Sequence, residues 1–194
     1  MDTGSITAGK LLHVGVLLYP NFELLDVFGP LEMFATLGHS RARIHMIAGN
    51  KGPVASAMAG DGPLGPCVIA EHDYAGAPAL DILLVPGGFG TVPALGDAAL
   101  LAFIRDRAAT TPILASVCTG SALLAKAGVL DGRRATSNKQ FFDLARSQSD
   151  RVEWVEAARW VDAGNVVTSS GVSAGMDMAL ALIERLYGAA TADQ

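Results

Sequence analysis

The sequence predicts an α/β protein, a three-layer sandwich around a mostly parallel central sheet. Two observations carry this reading. Short, near-continuous apolar runs of strand length, such as residues 12–19 (LHVGVLLY) and 81–85 (DILLV), alternate with longer stretches of helical spacing. Such runs suit central strands covered on both faces, and their alternation with helices is the pattern of a parallel sheet. Residues 113–116 then lead straight into Ser116-Val117-Cys118-Thr119-Gly120-Ser121 and a helix-forming run. That places Cys118 at a sharp strand-to-helix turn, a nucleophile elbow.

The elements follow in order. Residues 12–19 are a central strand ended by Pro20-Asn21, and 22–37 have helical spacing, interrupted at Gly29-Pro30. Residues 43–48 are a second strand. The Gly/Pro-rich stretch 53–70 reads as a hairpin or meander. Strand 81–85 ends in Pro86-Gly87-Gly88-Phe89-Gly90. An amphipathic helix covers 97–109, then come strand 113–116 and a helix after Gly120. A short extended piece at 134–136 precedes a helix over 138–146. Strands at 152–155, 159–161 and 166–168 follow, with 162–165 a turn, and 173–187 closes the chain with a helix. Residues 1–11 are expected to be a flexible segment and 12–190 one domain; no repeat or linker is visible.

Composition bounds the function. The chain has 194 residues, 51% hydrophobic and 17% charged, which describes a compact core. A net charge of −5 and the absence of a basic cluster exclude a nucleic-acid track. Residues 1–10 carry no apolar signal core and no run reaches membrane-span length, so no membrane partner is expected. Two cysteines, Cys67 and Cys118, are expected as free thiols in a reducing cytoplasm.

Chemistry concentrates beyond the strand C-termini, where ligands bind in such folds. At the elbow, a helix N-terminus and unpaired N–H groups would favour the Cys118 thiolate. The competing reading makes Cys118 one more small buried hydrophobe. Gly87 and Gly88 permit close backbone approach, and their N–H groups, with that of Thr119, are candidates for an oxyanion hole. A dinucleotide loop fails, because Pro93 stands where the third glycine belongs. Asp26 lies among apolar neighbours, so burial would raise its pKa and suit it to proton transfer. Its alternative is a turn or capping Asp before Pro30. Glu23, the rival acid, reads as an exposed first-turn charge. His13, His39, His45 and His72 show no ligand spacing, and His13 and His45 read as structural strand residues. No metal is expected.

Together these residues resemble a known family. Leu17-Leu18-Tyr19-Pro20, Leu25-Asp26-Val27-Phe28-Gly29-Pro30, the Pro86-Gly87-Gly88 loop, Val117-Cys118-Thr119-Gly120-Ser121, Arg134-Ala135-Thr136-Ser137 and the run from Thr168 to Asp177 follow in the order of the ThiJ/PfpI (DJ-one) superfamily. The resemblance runs from about His13 to Tyr187. It implies a flavodoxin-like, class I glutamine amidotransferase-like fold. Within the superfamily the motifs are most similar to isocyanide (isonitrile) hydratases, and equally to the sensing domains of AraC-type regulators.

The resemblance implies a Cys118 nucleophile with Asp26 as acid/base, a small-molecule substrate, no cofactor and a homodimer. One departure matters. Relatives often carry His after the Ala-Thr-Thr stretch, where this chain has Asn138, which cannot shuttle a proton. A Cys–His amidase, protease or glyoxalase is therefore disfavoured, and Asn138 becomes a substrate-pocket candidate. A non-enzymatic sensor of ligand or oxidation is the alternative. Regulators append a helix-turn-helix region, for which no residues remain before Gln194.

Overall fold

The computed structural model describes residues 10–58 and 65–194. Its sheet has seven strands in the order β10-β11-β7-β6-β1-β2-β5. The strands are β1 (Leu12–Leu17), β2 (Ala42–Ala48), β5 (His72–Asp73), β6 (Ile82–Val85), β7 (Ile113–Val117), β10 (Trp160–Asp162) and β11 (Val166–Ser169). All neighbours pair in parallel except β10 and β11. The hairpin expected between 53 and 70 is β3 (Gly52–Ala55) paired antiparallel with β4 (Cys67–Ala70). A minor pair joins β8 (Arg134–Ala135) to β9 (Glu153–Trp154).

The predicted core strands are the buried ones. Every residue of β6 and β7 is buried, and β1 leaves only His13 partly open. This is what apolar runs without alternation demand, because helices cover both faces. Helix α1 (Leu24–Ala35) packs on α6 (Val172–Tyr187). Helix α3 (Ala98–Thr110) packs on α4 (Gly120–Lys126), which lies against β6 and β7. Asp97 caps α3, its side chain accepting from the N–H groups of Ala99 and Leu100 at 3.0 Å each. Among the described residues no helix is long and apolar enough to cross a membrane.

Two expectations are corrected. Helix α1 runs through Gly29-Pro30 without a break. Small size matters there: a Cβ on Gly29 would lie 3.0 Å from Met176 Cγ, and one on Gly175 would lie 3.4 Å from Pro30 Cγ. Close packing of α1 on α6 thus compensates the N–H that Pro30 lacks. The helix expected over 138–146 shrinks to α5 (Phe142–Arg146), because Asn138 spends its side chain on a turn. Short helices α2 (Thr91–Ala94) and α7 (Ala189–Ala192), and strand β5, were not legible as elements. The flexible segment expected at 1–11 lies outside the described residues except for Lys10 and Leu11. Lys10 Nζ pairs with Asp81 Oδ1 at 2.9 Å.

The chain leaves β1 toward β2 on one side, then returns to β6 and β7 on the other. The strand order therefore reverses between β1 and β6, and a crevice opens beyond their C-terminal ends. The loops after β1, β6 and β7 all meet there.

Candidate active site

The elbow is built from backbone strain held by close packing. Cys118 has φ 58°, and Asn21, in the loop after β1, is the other non-glycine with positive φ among the described residues (φ 61°). For an L residue this conformation costs roughly 1–2 kcal/mol and persists only where its surroundings enforce it. Here Cys118 N–H donates to Ser169 O at 3.0 Å. The Cys118 carbonyl accepts from Ser121 Oγ at 3.2 Å and Ser137 Oγ at 3.3 Å. Gly87 presses on the turn: a Cβ there would stand 2.6 Å from Thr119 N and 2.9 Å from Cys118 Cβ. Gly88, at φ 127°, is equally excluded from bearing a side chain by Asn21 and Glu23 backbone.

Asp26 arrives from the first turn of α1 and is fully buried. Its Oδ2 accepts the Gly87 N–H at 3.0 Å, while Oδ1 is buried without a well-formed hydrogen-bond partner. Burial raises its pKa from 3.8 to about 7, against the Gly87 N–H, which lowers it; Glu23 adds to the rise. Cys118 and Asp26 interact directly, each altering the other's protonation. The Cys118 thiol is pushed up to about 12, first by burial and then by the Asp26 carboxylate. Thr119 N–H and the Asn138 amide oppose that rise.

This corrects the expectation of a resting thiolate. The two N–H···S contacts, from Thr119 and Asn138, do not outweigh burial beside a carboxylate. The pair instead holds at least one proton at neutral pH.

The expected oxyanion hole is also revised. Gly87 N–H is committed to Asp26, and Gly88 N–H donates to Thr119 Oγ1 at 3.1 Å. Both glycines act by shape and by orienting their partners. Of the three predicted amides, Thr119 N–H is the one turned to the sulfur. Thr119 Oγ1 is fixed by Thr91 Oγ1 at 2.8 Å, which meets Tyr19 OH at 3.1 Å; Tyr19 in turn donates to Pro86 O at 2.6 Å. This buried chain ties all three loops together.

Asn138 reaches the sulfur, its Nδ2 donating to Cys118 Sγ at 3.1 Å. Its Oδ1 accepts from Gln140 N at 2.9 Å and Phe141 N at 3.2 Å, which fixes the amide so that the NH₂ faces Cys118. Ser121 in α4, Ser137 in a loop and Ser169 at the end of β11 were given no site role from sequence, because which serine supports the elbow depends on how these elements meet. Glu23, expected to be exposed, is half-buried and lines the pocket.

The pocket above the sulfur has a volume of about 230 Å³. Phe89, Val92, Phe141 and Leu144 supply an apolar wall, with Phe89 and Phe141 meeting edge to face at 6.5 Å. The cavity suits a small molecule with an apolar part.

The DJ-1/PfpI family model matches residues 13–185. The chain belongs to the DJ-1/PfpI family. It is 37% identical over 186 residues to the isonitrile hydratase of Pseudomonas putida, covering 93% of this chain and 75% of that protein. It is 32% identical over 179 residues to the HTH-type transcriptional regulator GbdR of Pseudomonas aeruginosa, which covers 90% of this chain and 47% of the regulator. A solved ThiJ/PfpI family protein from Pseudomonas syringae superposes with a TM-score of 0.83 at 33% identity, covering 99% of this chain and 76% of its own. An AraC family transcriptional regulator from P. putida shares the fold, with a TM-score of 0.78 at 20% identity over 94% of this chain and 96% of its own.

Proposed function

We propose that this DJ-1/PfpI family member is an isonitrile hydratase, converting R–N≡C and water to the N-substituted formamide R–NH–CHO. The observation that carries the reading is the contact of one sulfur with a buried carboxyl of pKa about 7 and a fixed amide donor. Similarity to an isonitrile hydratase over nearly the whole chain supports it.

In the resting site Cys118 keeps its proton and Asp26 is divided between acid and carboxylate. The carboxylate takes the thiol proton as sulfur attacks the terminal carbon of R–N≡C. The S–C bond forms, and Asp26 returns the proton to that same carbon, giving the thioimidate R–N=CH–S–Cys118. Asp26, again a carboxylate, removes a proton from water as the water oxygen adds to the carbon, and passes that proton to the nitrogen, giving R–NH–CH(OH)–S–Cys118. The C–S bond then breaks, the carbonyl forms, and the hydroxyl proton returns to Cys118. Atoms balance without oxidant or reductant. Asn138 Nδ2–H and Thr119 N–H stabilise the sulfur while it is negative.

The test is formamide release from a panel of small isocyanides by wild type and Cys118→Ala. Turnover by wild type alone is expected. Equal release by both proteins would remove the reading. A second reading, a small-molecule sensor, is favoured by the similarity to a transcriptional regulator and by the high thiol pKa. It is distinguished by tight ligand binding with no turnover of any isocyanide.

A further inference from the structure

The sheet edge farthest from β10 carries a second cluster, unused by the chemistry above. His45 in β2, Glu71 just before β5 and His72 at its start bring one ligand atom each into a triangle. His45 Nδ1 to His72 Nε2 is 3.2 Å, His72 Nε2 to Glu71 Oε1 is 3.4 Å, and His45 Nδ1 to Glu71 Oε1 is 3.6 Å. A tetrahedral ion with bonds of about 2.0–2.1 Å needs ligand atoms about 3.3 Å apart. We propose that His45, Glu71 and His72 form a divalent-metal site, taking zinc, with a fourth position left to solvent.

Three further observations support the assignment. The donor set, two imidazole nitrogens and one carboxylate oxygen, is the one that zinc takes when one coordination position stays open. Glu71 is half-exposed and His72 partly so, which places the open side of the triangle at the surface. The far nitrogen of His45 already has an outer partner: His45 Nε2 lies 3.0 Å from His13 Nδ1, with the two rings only 12° apart in plane. A metal on Nδ1 requires the proton on Nε2, and His13 Nδ1 accepts it there.

The backbone holds the ligands still. His45 sits mid-strand opposite Gly15 of β1, and is buried. Glu71 N–H donates to Met46 O at 3.1 Å, and His72 pairs with Ile47. Sites on strands keep their geometry better than sites on loops. Arg43 lies two residues along the same strand and repels a cation; the Glu71 carboxylate offsets it. The position is three strands from β7, roughly 14 Å across the sheet, so it is separate from the Cys118 pocket. The sequence hid it because His45 and His72 are far apart in the chain and meet only through strand pairing. A bound ion would clamp β5, two residues long, to the sheet.

The test is calorimetric titration of the chelator-stripped protein with zinc chloride, alongside thermal unfolding. One zinc per chain is expected, retained in the Cys67→Ser/Cys118→Ser double variant, which removes competing thiols. His72→Ala and Glu71→Gln, both at the surface, should weaken binding about 100-fold. Zinc at about 100 times the wild-type Kd should raise the Tm of wild type by roughly 5–10 °C, and at the same zinc concentration that shift should fall to about 1 °C in either ligand variant. Cobalt substitution should give the strong visible bands of a four-coordinate ion, lost in His72→Ala. No zinc heat beyond dilution, unchanged affinity in both ligand variants, or loss of the site in the cysteine variant instead would each overturn the proposal.

Discussion

The two cysteines show how differently one fold can treat the same side chain. Cys67 opens β4 in the separate β3–β4 pair and is exposed, with no strained torsion. Cys118 follows a fully buried strand, holds a positive φ, and touches a carboxyl, an amide and a backbone N–H. Exposure is what makes a thiol available to passing reagents. Burial makes it unavailable unless something removes its proton on demand, and in the proposed mechanism Asp26 does so. The difference teaches that the elbow does not simply keep a thiolate ready. It keeps a proton between two groups, neither of which ionises easily in that cavity.

The largest effect should come from Cys118 itself. Cys118→Ala is expected to reduce isocyanide turnover to background, whereas Cys67→Ser should retain it fully. Cys118→Gly should be equally inactive yet gain roughly 1 kcal/mol in denaturant unfolding, because glycine accepts the left-handed torsion freely. A loss of turnover on changing Cys67 would reverse the assignment of roles.

Asp26→Asn sharpens the comparison by separating proton transfer from charge. Turnover should fall about 10²–10⁴-fold, the usual contribution of a positioned acid–base group. The Cys118 thiolate midpoint, followed by ultraviolet absorbance in a Cys67→Ser background, should move down, since the carboxylate is one of the groups raising it. A midpoint that does not move would break the coupling proposed between the pair.

The same substitution should change stability with a defined sign. In the folded protein Asp26 stays protonated up to about pH 7, whereas an ordinary aspartate ionises near 3.8. The unfolded chain therefore releases this proton first, and stability falls as pH rises from about 4 to 7, then levels off. Asp26→Asn should remove that slope and be more stable than wild type at pH 8, by about 4 kcal/mol at most. Parallel unfolding curves for the two proteins across this range would exclude a raised Asp26 pKa.

Asn138→Ala should act more gently. Loss of one hydrogen bond to a developing thiolate corresponds to about 10–100-fold in kcat/KM. The thiolate midpoint should rise in this variant, opposite to Asp26→Asn. Smallest of all, Cys67→Ser should alter unfolding free energy by no more than about 0.5 kcal/mol, as exposed substitutions do.

Much of this architecture was legible in the chain. The strands 12–17, 82–85 and 113–117 follow from apolar runs without alternation, and the elbow from a strand running directly into Cys118-Thr119-Gly120. Asp26, Gly87, Gly88, Thr119 and Asn138 were all candidates, and all meet around one sulfur. Their roles were less legible. Which N–H a carboxylate accepts depends on the approach of α1 to the loop after β6, and no spacing in the chain encodes that distance.

What the sequence by itself determined is therefore the set of elements and the end of the sheet at which chemistry gathers. Period and apolar content dictate strands and helices, and strand C-termini dictate where loops collect. Only the tertiary structure decided the protonation of the site and the second cluster at the opposite edge. Burial of Asp26 and Cys118 in one cavity sets their pKa values, because desolvation is a property of everything packed around a group. Likewise His45 meets Glu71 and His72 only because β5 returns to pair with β2. Both results depend on contacts between segments distant in the chain, which local pattern does not record.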